Sequence, residues 1–115
     1  MLRLYILEGT QPVPIEDLME WGVWYEKSER RVAFSRHSSG VEVSTVFLGI
    51  DHGFMGDVQL FETAVFDDYG CEIVNRYATW DEAYLGHVEI VNQKTIVLKD
   101  LLESWKHERV SEKLS

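Results

Sequence analysis

Apolar side chains recur along this chain with two periods, and the switches between them mark out its elements. Leu2, Leu4, Ile6 and Leu7, with Tyr5 among them, read as a first strand. It should end at Gly9-Thr10-Gln11-Pro12, since glycine and proline interrupt a ladder and favour turns. From residue 15 to about 28 the period lengthens to that of a helix, with Ile15, Leu18, Met19 and Gly22 in step and Trp21 and Tyr25 beside them. Pro14 suits a first helical position, and Glu16 and Asp17 place negative charge at the positive end of the helix dipole. Gly22 costs about 1 kcal/mol against alanine inside a helix, so it is expected at a close packing contact.

Strand alternation returns at residues 31–35 and again at 41–49, where Val41, Val43, Thr45 and Phe47 share a face. The turn residues His37-Ser38-Ser39-Gly40 between them predict a hairpin. A third run, 59–66, leads into Asp67-Asp68-Tyr69-Gly70. A three-residue closure over residues 68–70, with Gly70 left-handed, sets Asp67 against Cys71, Glu62 against Arg76, Phe61 against Tyr77 and Val65 against Ile73. A four-residue closure sets Glu62 against Asn75 instead. Thr79 and Glu82 then form a capping box, the threonine as N-cap and the glutamate three residues on. The helix that follows carries Ala83, His87, Val88 and Val91, then Thr95, Leu98, Leu101, Leu102 and Trp105. It is read either as one helix to about 108 or as two broken near Asn92-Gln93, with a charged end fraying from about 108. Strands followed by a helix, joined by short connections, predict an α+β fold: an antiparallel sheet of four to five strands with two or three helices packed on one face, in a single domain over residues 1–115.

The centre of this pattern is STVFLGIDHGFMGDVQLFETAVF, residues 44–66. Two apolar runs, 46–50 and 60–66, flank a loop that holds Gly49, Gly53, Gly56 and the pair Asp51-His52. Polar groups embedded in such strands point to a site. The candidate set is Asp51, His52, Glu62, Arg76 and His87, which would bind an anion if the five converge and would not if they lie on opposite faces. Arg76 would take a phosphate or carboxylate bidentately, oriented by Glu62. In a metal version, Asp51, His52 and His87, completed by Glu62 or Glu82, would hold zinc or manganese. No H-x3-H, H-E-x-x-H or C-x2-C spacing supports that version. The simpler alternatives are a loop-capping Asp51, a packed His52, a core His87 with one hydrogen bond, and a structural Glu62–Arg76 ion pair. Trp21, Trp24 and Trp80 could clamp a base, although Trp21 and Trp24, three apart on one helix, suit packing against the sheet. No phosphate loop and no G-x-S-x-G elbow is present, Cys71 beside Glu72 is a poor nucleophile, and no cofactor is implied.

Charge narrows the classes further. Twenty acidic residues against eleven basic ones leave a net charge of −9 over 115 residues, which disfavours direct binding to nucleic-acid backbones. DNA mimicry would be the extreme of such an acidic balance, and it is disfavoured because the negative charge is spread out and interleaved with positive charges. A hydrophobic fraction of 45% places the chain among folded proteins, and one cysteine permits no internal disulfide. Met1 leads into LRLYILEG without the features of a signal peptide, and no apolar run approaches bilayer length. A soluble, cytoplasmic protein is expected.

Three blocks, STVFLGIDHGF, LFETAVF and RYATWDEAYLGH, preceded by YILEG…PVPIEDLMEW, resemble in order and spacing a family of small uncharacterised proteins encoded by bacteriophages and prophages. The resemblance covers roughly residues 4 to 88. It implies a phage accessory gene, cytoplasmic in the bacterial host, and not a virion structural protein; it supplies no catalytic residue. By analogy, such proteins modulate host enzymes or counter host defence, some by sequestering nucleotide signals. The leading expectation is therefore a non-enzymatic accessory protein that binds a host protein or a small anionic ligand. The competing ones are a metal-dependent hydrolase or nuclease built from the same carboxylates and histidines, and an acidic homo-oligomeric scaffold.

Overall fold

The computed structural model describes residues 3–53 and 56–93. The expectations for a helix to about 108, for its break or continuity beyond 93, and for a frayed end lie outside these residues, as does a strand start at Leu2. The first two strands, β1 (Leu4–Glu8) and β2 (Gln11–Ile15), form an antiparallel hairpin of their own. Its two-residue turn opens on Gly9 at φ 64°, a conformation that glycine adopts without strain. Residues 11–15 are thus a strand, and not the turn and helix start expected from Gly9, the prolines and the helical spacing. Pairing explains how two prolines fit. Hydrogen bonds in an antiparallel ladder fall on alternate residue pairs. With Glu8 and Gln11 closing the turn, Pro12 opposite Leu7 and Pro14 opposite Tyr5 fall on the pairs that need no N–H.

Helix α1 (Leu18–Lys27) begins later than residue 15 because Asp17, not Pro14, starts it. The Asp17 carboxylate accepts the N–H groups of Met19 at 2.9 Å and Glu20 at 3.1 Å. Four strands follow, β3 (Arg31–Arg36), β4 (Glu42–Phe47), β5 (Phe61–Asp67) and β6 (Gly70–Tyr77), in an antiparallel meander ordered as in the chain. A second helix, α2, occupies residues 80–93. It starts on the expected box: Thr79 Oγ1 accepts the Glu82 N–H at 3.2 Å, and the Glu82 carboxylate reaches back to the Ala78 N–H at 3.3 Å. The α+β class holds, with two sheets and two helices among the described residues.

A bulge shifts the register partway along β5 and β6. Asp67 faces Gly70 across a two-residue turn, so Val65 faces Glu72 and not Ile73. Val74 is then an extra residue on β6, and beyond it Glu62 faces Arg76 and Phe61 faces Tyr77 as expected. The core lies on one face of this sheet. Val43, Thr45 and Phe47 of β4 and Phe61, Thr63 and Val65 of β5 are buried there. Trp24 of α1 stands edge-on to Phe47 with ring centroids 5.8 Å apart, and Trp80 of α2 stands edge-on to Phe61 at 6.2 Å. Both helices therefore cover the same face. The opposite face carries Glu62, Arg76 and the exposed Phe34, Phe66 and Ile73. No helix among the described residues is long and apolar enough to cross a membrane.

Candidate functional site

The five polar residues singled out by the strand pattern occupy three separate places. Asp51 lies just past β4, in the loop that carries the chain to β5. Its Oδ1 accepts the N–H groups of Gly53 at 2.8 Å and Gln59 at 3.0 Å. Burial pushes this carboxyl up, but the two N–H donors, aided by the charges of Arg3 and His52, outweigh it and hold the group below its ordinary value. Asp51 is thus a loop cap. His52 beside it is exposed, and its main-chain N–H bonds Gln59 O at 3.0 Å to close the same loop.

Glu62 and Arg76 meet across β5 and β6, with Arg76 Nε donating to Glu62 Oε2 at 3.1 Å. Their chain neighbours Phe61, Thr63 and Tyr77 point under the helices, so by strand alternation this pair stands on the uncovered face. His87 is on the other side. It is 3% exposed beneath α2, where Nδ1 lies 2.8 Å from Thr45 Oγ1 and Nε2 lies 2.9 Å from Ser35 Oγ. Thr45 Oγ1 is bonded in turn to Thr63 Oγ1, giving a chain of hydroxyls from β3, β4 and β5 gathered on one imidazole. Burial pushes the imidazole pKa below its ordinary value.

The convergence expected from sequence is therefore not found. Asp51 and His52 share the loop, Glu62 and Arg76 share the open face, and His87 is sealed in the core. Nor does the alternative metal set of Asp51, His52 and His87 assemble: no group of three or more His, Cys, Asp or Glu residues among the described residues is placed to hold a metal ion. Glu82, a proposed fourth ligand, serves the α2 cap. The three tryptophans are separated too. Trp24 and Trp80 pack on the core aromatics, while Trp21 donates its indole N–H to both Tyr5 O at 3.1 Å and Gly49 O at 3.0 Å.

Two features escaped the sequence reading. The Ser35–His87–Thr45–Thr63 network was signalled by threonines at inward positions of apolar strands, where a hydroxyl needs a partner. A cleft of about 520 Å³ between the β1–β2 hairpin and the corner that opens α2 had no such signal, since its walls come from distant parts of the chain. Tyr5, Gln11, Pro12, Val58, Trp80 and Asp81 are among its lining. No family model matches this chain, and neither does any curated protein or solved structure.

Proposed function

We propose that this chain is a phage-type accessory protein that binds and modulates a protein of its bacterial host, and that it does so without catalysis. The observation that carries this reading is the outward side of α1. Leu18, Met19 and Val23 are 61%, 78% and 54% exposed there, and they surround Gly22, beside which an added Cβ would meet nothing within 4 Å. The close contact expected at Gly22 is not made within the described residues, so the position is free for another chain. Contiguous exposed apolar side chains on a helix are typical of protein-binding surfaces. The carboxylates of Glu16, Glu20 and Glu26 are exposed on or beside this helix, in a chain of net charge −9. The partner surface that fits is accordingly apolar with a basic rim.

Three of the candidate polar side chains serve the fold. Asp51 caps a loop, His87 has both ring nitrogens bonded, and Arg76 is held by Glu62. An anion would have to compete with Glu62 for Arg76, which favours protein binding over ligand capture. Counteracting a host defence protein is one form such modulation takes. The test compares immobilised wild-type protein with Met19→Glu/Val23→Glu, a pair of exposed changes, in lysate of a bacterial host. One host protein retained by wild type, and retained at least tenfold less by a variant of unchanged melting temperature, is the expected result. Equal retention by both proteins, or retention by neither, overturns the reading.

A further inference from the structure

We infer that the cleft between the β1–β2 hairpin and the start of α2 receives a basic side chain, arginine or lysine, from the bound partner protein. This rests on the reading of the chain as a protein-binding module and names the chemical group that a second part of its surface would engage. The cleft measures about 520 Å³, within the range of sites that enclose small groups. Tyr5 and Trp80, both half-buried, contribute aromatic rings to its lining, with Pro12 and Val58 adding apolar surface. Trp80 is anchored by its edge-on contact with Phe61.

The polar lining mixes two threonine hydroxyls, Thr10 and Thr79, with the Gln11 amide and one carboxylate, Asp81. Asp81 is exposed and, among the described residues, is the one ionisable acid or base in the lining other than the phenol of Tyr5; no described lysine, arginine or histidine lines the cleft. Among the described residues Asp81 makes no side-chain hydrogen bond or ion pair, in contrast to its neighbour Glu82, which serves the cap. Gln11 turns its Nε2 toward Pro12 O at 3.4 Å, leaving its carbonyl oxygen to accept. Aromatic surface together with a carboxylate and a carbonyl suits a donor-rich cation and repels an anion. Asp81 also suits the positive end of α2. That role alone would not respond to an added cation, so titration separates the two.

The probe is arginine amide, titrated into full-length ¹⁵N-labelled protein, with citrulline amide as the uncharged analogue of the same shape and inorganic phosphate as the opposing anion. Arginine amide should shift the amide resonances of Gln11, Trp80 and Asp81. Citrulline amide and phosphate should leave them in place, and Asp81→Asn should weaken the arginine titration by about fivefold with the fold held by the Thr79–Glu82 cap. Equal shifts from citrulline amide, an affinity unchanged in Asp81→Asn, or shifts caused by phosphate instead would each overturn the inference. Because the probe is a free compound, its failure leaves the capture experiment on α1 untouched. A failed capture likewise leaves cation binding in the cleft to be measured by itself.

Discussion

His87 shows how much of this protein's polar chemistry is structural. An imidazole buried under α2 gives up solvation, and it recovers part of that through the hydroxyls of Ser35 and Thr45. Both bonds can be made by the neutral ring, with one nitrogen donating and the other accepting. Charging the ring gains little in bonding and costs desolvation, so the folded-state pKa lies below the ordinary 6.5. The unfolded chain therefore takes up a proton first as pH falls. The stability linked to His87 is complete above the unfolded pKa and is lost as pH drops from there through the folded value. Urea denaturation between pH 7.5 and pH 5 should show stability falling toward acid, with a slope of at most about 1.4 kcal/mol per pH unit from this one proton. In His87→Gln, whose amide can still donate and accept, that slope should disappear. A slope that persists unchanged in the variant would remove His87 as its cause. Asp51 belongs to a lower window, since its carboxyl is held below an ordinary value of 3.8.

At the scale of elements, the two helical glycines make the same sequence signal mean opposite things. Gly22 on α1 faces open space, whereas a Cβ at Gly86 on α2 would collide with the Tyr77 ring of β6. Gly22→Ala should raise stability by about 0.5–1 kcal/mol through helix propensity and a less flexible unfolded chain. Gly86→Ala should lower it by about 1–3 kcal/mol, because Tyr77 or the helix must move. Denaturant midpoints measure both, and equal effects of the two changes would refute this account of how α2 seats. Local chemistry that acts over three or four residues was legible beforehand: the Thr79–Glu82 cap and the turn that joins β3 to β4. What failed depended on information outside the local window. Pro12 and Pro14 looked incompatible with a strand because pairing parity, which makes them harmless, is known only once β1 is in place. The Glu62–Arg76 pairing came from a wrong turn: a closure one residue shorter than expected is offset by the bulge at Val74, so the far end agrees and Val65 does not. For the candidate site, strand alternation already placed Glu62 on the face opposite Thr63. The position of His87 over Thr45 and Ser35 required the helix to be docked.

Among the described residues, the hairpin and the four-stranded sheet meet along a seam. Beyond β4 the chain continues alongside β1, with Leu4 bridged to Ile50, the Tyr5 N–H bonded to Gly49 O at 2.9 Å and the Asp51 N–H bonded to Arg3 O at 3.1 Å. Over this seam lies Trp21 of α1, its indole N–H shared between Tyr5 O and Gly49 O. Gly49 sits at φ 77°, and an added Cβ would come within 3.2 Å of the Trp21 Nε1, so both conformation and space call for glycine there. One side chain thus ties hairpin, helix and main sheet together, and it also helps fix the hairpin wall of the cleft. Trp21→Phe keeps an aromatic ring but removes the donor from two carbonyls. The site is only half-buried and water can replace part of the bond, which puts the cost at about 1–2 kcal/mol. The loss should be local. Hydrogen exchange at the hairpin amides that bond across β1 and β2 should accelerate by about tenfold, the equivalent of about 1.4 kcal/mol, while the amides of Thr45 and Thr63 keep their protection. If hairpin and central-sheet amides accelerate together, the hairpin does not open independently and Trp21 belongs to one cooperative core. If neither changes, the seam is held by its backbone bonds and the indole contributes only its packing.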